Sequence, residues 1–221
     1  MTHLAKVCVV GDIGTGKTSL LRRLTAQTFD KNVEPTMGVD FFTKTFRFED
    51  HVFKFQFWDG SGDERFLSTR SAHYLGATLF VLVYDMNNED SFRHLEAWHE
   101  EVQGQSDRSL MFVIGGKSDL SHMRKVTRAD AEAFAATHNC SYYEASAKSG
   151  DGVCAAFDGI VQELAHNEDG ARAEGAASIC RMLDFQVSSE YEEEAVEWLE
   201  YTSSYRRRKC CPCFFNSHVE V

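Results

Sequence analysis

Gly11-Asp12-Ile13-Gly14-Thr15-Gly16-Lys17-Thr18 limits what this chain can fold into more than any other stretch. It satisfies the pattern G-x-x-x-x-G-K-[ST] at every fixed position. Ahead of it, Lys6-Val7-Cys8-Val9-Val10 is a β-branched run suited to a buried parallel strand. Behind it, Ser19 to Thr28 sets Leu20, Leu21 and Leu24 among helix formers. The glycines let consecutive backbone N–H groups point inward, and the new helix adds its positive end. Lys17 is then placed for the outer phosphates and the Thr18 hydroxyl for Mg²⁺. A glycine-rich turn without a ligand is the plain alternative, and the flanking strand and helix argue against it. Gly11 to Ser19 is therefore expected to cradle phosphate.

With 221 residues the chain has room for one domain and a further segment, and 43% hydrophobic content supports a core. A formal charge of -11 argues against nucleic acid as a partner, since a phosphate backbone would be repelled. Seven cysteines lie without disulfide-like spacing and no signal-peptide pattern opens the chain, so a reduced, cytoplasmic setting is expected. No apolar run approaches the ~20 residues a spanning helix needs. Membrane association is then left to a lipid anchor or a partner.

Along the chain, Phe42 to Phe48 and Val52 to Trp58 read as two strands around a turn at Glu49-Asp50-His51. Phe46 and Phe48 flank Arg47, and Phe53, Phe55 and Phe57 flank Lys54 and Gln56. Such alternation predicts one buried and one wet face, as in a hairpin at a sheet edge. Thr78 to Tyr84, Leu110 to Ile114 and Ser141 to Glu144 read as further strands. Helices are expected from a Ser91 N-cap to Val102, from a Thr127 cap to His138, and over Val153 to His166. The pattern predicts a three-layer α/β domain over residues 1–166. Its six-stranded sheet is mostly parallel with one antiparallel edge strand, carries helices on both faces, and binds ligands at the strand C-termini.

Two loops speak to the base. Lys117-Ser118-Asp119, following a strand, offers a carboxylate suited to the donor pair of guanine, which adenine lacks; Ser146-Ala147-Lys148 offers a backbone N–H for the guanine oxygen. With the phosphate loop, Thr36 and Asp59-x-x-Gly62, these resemble the five guanine-nucleotide motifs of the Ras superfamily in order and spacing. Thr-Met-Gly-Val-Asp-Phe (36–41), Trp-Asp-x-x-Gly-x-Glu-Arg-Phe (58–66) and Tyr74-Leu75-Gly76-Ala77 resemble the Rab branch. The resemblance covers residues 5–166. It implies a monomeric switch cycling between GTP and GDP with Mg²⁺. Thr18 and Thr36 would hold the metal directly and Asp59 through water, while the Gly62 N–H would sense the γ-phosphate, so that two loops order with GTP. Thr36, Gly62 and Lys17 would serve catalysis. It also implies an exchange factor, a GTPase-activating protein, and effectors meeting Phe41, Trp58 and His73. Plain hairpin packing is the alternative for Phe41, and His73 stands where the family usually has Tyr.

Three departures fall on the chemistry. Asp63 stands where the family has the Gln that orients the attacking water; it is shorter and negatively charged. Ile13 stands where the family has a small residue, crowding that position and any incoming arginine finger, a contribution of ~10³–10⁵ in rate. Both predict slow intrinsic hydrolysis. Gly116 replaces the Asn that opens the guanine motif, and each unmade bond costs about 1–3 kcal/mol, roughly ten- to a hundredfold in affinity. Faster exchange is expected, hence a switch resting in the GTP state. A pseudo-GTPase scaffold with constitutive or weak nucleotide binding is the rival reading.

Residues 167–221 differ in character: Gly170 to Ala177 is linker-like and Glu190 to Glu200 densely acidic. A solvated spacer and a docking helix built on Tyr191, Ala195, Trp198 and Leu199 are both open. Arg206-Arg207-Arg208-Lys209 then meets Cys210, Cys211 and Cys213, a basic, cysteine-rich pattern suited to lipid attachment and to the cytosolic face of an internal membrane. Val221 lies beyond Cys213, whereas Rab chains usually end in the prenylated Cys; palmitoylation and a Zn²⁺ site are the alternatives.

Overall fold

The computed structural model describes residues 2–173, except 50, 64, 66 and 105–108. Six strands form one sheet in the order β2-β3-β1-β4-β5-β6. They are β1 (Thr2–Val10), β2 (Val39–Phe48), β3 (His51–Gly60), β4 (Leu79–Asp85), β5 (Leu110–Gly116) and β6 (Ser141–Glu144). Among the described residues only the β2–β3 pair is antiparallel, in register from Val39↔Gly60 to Phe48↔His51. The expected hairpin therefore sits at the sheet edge, with longer arms than the sequence suggested.

Strand alternation divides the core into two layers. Ala5, Val7 and Val9 of β1, with Leu79, Val81 and Val83 of β4, face α1 (Lys17–Ala26) and α6 (Val153–Ala173), which add Leu21, Leu24, Phe157 and Ile160. Cys8 and Val10, with Phe80, Leu82 and Tyr84, face the other way. There they meet Tyr74 of α2 (Leu67–Tyr74), Phe92 of α3 (Glu89–Arg93), Leu95, Trp98 and Val102 of α4 (Leu95–Gln103), and Ala131 of α5 (Arg128–Thr137). Phe53, Phe55 and Phe57 are fully buried, each contributing about 1.5–3 kcal/mol. The three-layer α/β fold is as the sequence implied.

Local boundaries differ in instructive ways. The helix expected from Ser91 starts at Glu89: the Asn88 side chain accepts from the Asp90 and Ser91 N–H groups and is the N-cap. The Ser91 hydroxyl instead donates to the Asn88 carbonyl at 2.8 Å and accepts from the Asp85 N–H at 3.1 Å. Thr127 caps α5 as expected, accepting from the Asp130 N–H at 3.1 Å. Helix α2 carried no sequence signal, because Leu-Ser-Thr-Arg-Ser-Ala-His-Tyr has no apolar stripe. Helix α6 continues past His166 to Ala173, through residues the composition marked as linker. The remaining tail, with its acidic stretch and Cys210, Cys211 and Cys213, lies outside the described residues. Among the described residues no helix is long and apolar enough to cross a membrane.

Candidate functional site

The loops leaving β1, β3, β5 and β6 open at one edge of the sheet, around a cavity of about 450 Å³. It runs from the phosphate loop, with Ile13 to Ser19, past Thr36 and Gly62, to Gly116, Lys117, Asp119, Ala147 and Lys148. Gly16 ends the loop at φ 99, a left-handed conformation that L side chains resist, and caps α1. Lys17, 6% exposed, donates from Nζ to the carbonyls of Gly11 and Asp12, both at 2.8 Å. Burial pulls its pKa down to about 8, opposed by the charges of Asp59 and Asp12.

At the head of α1 the three expected metal residues converge. Thr18 Oγ1 lies 2.8 Å from Thr36 Oγ1 and donates to Asp59 Oδ2 at 2.5 Å. Asp59 is wholly buried, its Oδ1 without a hydrogen-bond partner. Burial raises its pKa to about 6, against the Thr18 bond and the Lys17 charge. A buried carboxylate with an orphaned oxygen beside two hydroxyls is a hard, all-oxygen set, and it fits Mg²⁺.

Gly62 lies directly on the phosphate loop, where a Cβ would collide with the backbone of Gly11, Asp12 and Ile13. The next residue, Asp63, turns its carboxylate to Arg65, accepting from Arg65 N–H at 3.0 Å and Nε at 2.9 Å. These bonds pull its pKa down to about 2. Ile13 is 55% exposed at the lip of the cavity.

Further ties have no signature in the local sequence. The Asp12 carboxylate faces away from the cavity, accepting from Trp98 Nε1 at 2.7 Å and lying 2.7 Å from His94 Nδ1. Arg70 on α2 is buried, with its guanidinium 4.2 Å from the Trp98 ring centroid. It donates to the Asp63 carbonyl at 3.0 Å and to Glu101 at 3.1 Å, while the Tyr74 hydroxyl holds the other Glu101 oxygen at 2.9 Å. The loop bearing Gly62 and Asp63 is thereby fastened to α4.

At the far end, Lys117 takes φ 62 and reaches back from Nζ to the Gly14 carbonyl and Asp85, both at 2.8 Å. Asp119 accepts from Ser146 Oγ at 2.6 Å, with Lys148 Nζ at 3.6 Å. Gly116 packs closely: a Cβ there would stand 3.1 Å from the Thr15 carbonyl oxygen and 3.2 Å from that of Tyr84. On the outer surface, half-buried Phe41, Trp58 and His73 form a row, with ring centroids 5.5 Å and 6.5 Å apart. Lys6 Nζ caps the Trp58 ring at 4.4 Å.

The model of the Ras family matches residues 6–166. The chain is 36% identical to "Ras-related protein Rab-11A" of Dictyostelium discoideum over 165 residues, 74% of this chain and 77% of that one. It is 35% identical to "Ras-related protein RABA4d" of Arabidopsis thaliana over 198 residues, 86% of this chain and 89% of that one. It is 36% identical to "GTP-binding protein ypt3" of Schizosaccharomyces pombe over 163 residues, 73% of this chain and 76% of that one.

Proposed function

Since this chain belongs to the Ras family and is a Rab-like small GTPase, we propose that it binds GTP and GDP with Mg²⁺ and serves membrane traffic as a slowly hydrolysing switch. The observation that carries the nucleotide reading is the convergence of Lys17, Thr18, Thr36 and Asp59 at one end of the cavity with Asp119 at the other. Lys17 and the inward N–H groups of the loop bind and orient the phosphates. Thr18, Thr36 and Asp59 would hold the Mg²⁺, which neutralises charge on the transferring phosphoryl group. Asp119 accepts from the base edge. Gly62 is pressed on the phosphate loop, and its N–H would read the terminal phosphate.

The hydrolytic step is where this chain is weak. Catalysis of phosphoryl transfer rests on positioning and charge, with a side chain orienting the attacking water. Asp63 offers its carboxylate to Arg65 instead, and Ile13, exposed at the lip of the cavity, would crowd the approach. Intrinsic turnover is therefore slow. The GTP state then persists, and the Phe41–Trp58–His73 row receives effectors for longer. Membrane attachment through lipid on Cys210, Cys211 or Cys213 places the switch on the cytosolic face of an internal membrane.

Denaturing the freshly purified chain and identifying the released nucleotide by chromatography tests this reading. Mostly GTP supports it, and mostly GDP makes the chain an ordinary cycling switch. An empty site moves the scaffold reading ahead, which the missing Asn side chain at Gly116 favours.

A further inference from the structure

We propose that Arg23 is a positioning residue for base recognition, orienting the 146–148 loop toward a purine that carries a 6-oxo group; this rests on the guanine-nucleotide reading above. Arg23 lies in α1, six positions beyond Lys17, about 9 Å along the same rigid helix that begins at the phosphate end. Its guanidinium donates from Nε to the Ala147 carbonyl at 2.6 Å and from Nη2 to the Lys148 carbonyl at 2.9 Å. A third donor, Nη1, holds the Gln27 carbonyl at 2.8 Å, where α1 ends in a left-handed cap. The planar fork suits this task, since three charge-assisted bonds fix one orientation.

Across a trans peptide the C=O and the following N–H point in opposite directions. Drawing the Ala147 carbonyl toward Arg23 therefore turns the Lys148 N–H the other way, and Ala147 and Lys148 line the cavity. Drawing the Lys148 carbonyl outward likewise sets the Ser149 N–H, which donates to Ser146 Oγ at 3.1 Å. That hydroxyl in turn donates to Asp119 at 2.6 Å. One guanidinium thus sets both the loop N–H groups and the carboxylate that meet the base. The other backbone ties gather at the start of the loop: Ser146 N–H donates to the Asp151 carbonyl at 2.9 Å, the Ser146 carbonyl accepts from Gly150 N–H at 2.8 Å, and Ala145 bonds Gly115 at 2.9 Å and Ser118 at 3.3 Å, which leaves the Ala147 and Lys148 carbonyls to Arg23. Gly116 has no side chain with which to add another.

The test compares dissociation rates of GDP and of 2-aminopurine riboside diphosphate, which lacks the 6-oxo group and the N1 proton. The full chain, Arg23→Gln and Arg23→Lys are each measured. Arg23→Gln should speed GDP release about tenfold or more and release of the analogue, which keeps only its 2-amino bond to Asp119, several-fold less, and Arg23→Lys, able to hold fewer carbonyls, should fall between. Equal acceleration of both nucleotides would overturn the proposal, since Arg23 would then act on the helix or the phosphates. An unchanged GDP rate would overturn it too. If the unaltered chain bound no GDP, the nucleotide reading would fall and take this proposal with it.

Discussion

The two ends of the cavity are built on different plans. The phosphate end is almost self-sufficient: a single stretch, Gly11 to Thr18, makes its own turn, starts its own helix and seats its own lysine. The base end has no such unit. Lys117 reaches 103 positions back to Gly14, Arg23 reaches 124 positions forward to Ala147, and Asp119 is met by Ser146 from 27 positions away. The phosphate end should therefore fail abruptly when one residue is changed, and the base end should degrade in steps.

The largest effect is expected at Lys17. Lys17→Ala removes the buried cation proposed to meet the phosphates, a loss of about 3–5 kcal/mol, or roughly two to four orders of magnitude in affinity. Titration calorimetry with GDP measures it. A loss under tenfold would mean the backbone cradle alone carries the phosphates, and the contrast between the ends would be wrong.

The hydrolytic corner comes next, because there Asp63 and Ile13 are proposed to slow the reaction. Asp63→Gln combined with Ile13→Ala frees the position from Arg65 and clears the lip, and single-turnover GTP hydrolysis should rise by about 10–100-fold. Arg70 would still hold residue 63 by its main-chain carbonyl. No gain in rate would assign the slow step to that fastening.

How much was visible beforehand follows the same division. The phosphate loop and Asp119 could be read from short patterns whose chemistry is local, whereas Thr36 and Asp59 came only with the resemblance to the Ras superfamily. The phenylalanines of β2 and β3 were legible because their alternation repeats within a few residues. Helix α2 was not, having no apolar stripe, and Asn88 was passed over because Ser91 is an equally good cap by composition. Arg23, Arg70 and the Asp12–Trp98 bond were out of reach in principle. Their partners lie far along the chain or on another element, and no local pattern pairs them.

A pH dependence separates the two ends further. Burial raises the Asp59 pKa to about 6, so its protonated form is favoured in the folded chain. The cost of the buried charge is absent below about pH 4 and fully present above about pH 6, so the metal-free fold loses stability as pH rises through that window. Metal binding has the opposite slope, because Mg²⁺ needs the carboxylate. Its affinity for the nucleotide complex should fall about tenfold per unit below pH 6, and Asp59→Asn should flatten that dependence. A flat profile in the unaltered chain would show that Asp59 does not govern the metal.

The smallest effect is expected where the base end is most altered. Gly116→Asn restores a side chain that can bond the base and tie the 145–148 loop, a gain of about 1 kcal/mol per bond. Against it stands the space available, since the new Cβ would lie 3.1 Å from the Thr15 oxygen and 3.2 Å from the Tyr84 oxygen. Both distances are tight but above outright collision, so the backbone needs to give only by a few tenths of an ångström. The bonds should outweigh that cost, and GDP release, followed by fluorescence of a labelled nucleotide, should slow about three- to tenfold. Faster release would reverse the account. The close approach of β5 to the phosphate loop would then be what this chain has adapted to, and Gly116 its requirement.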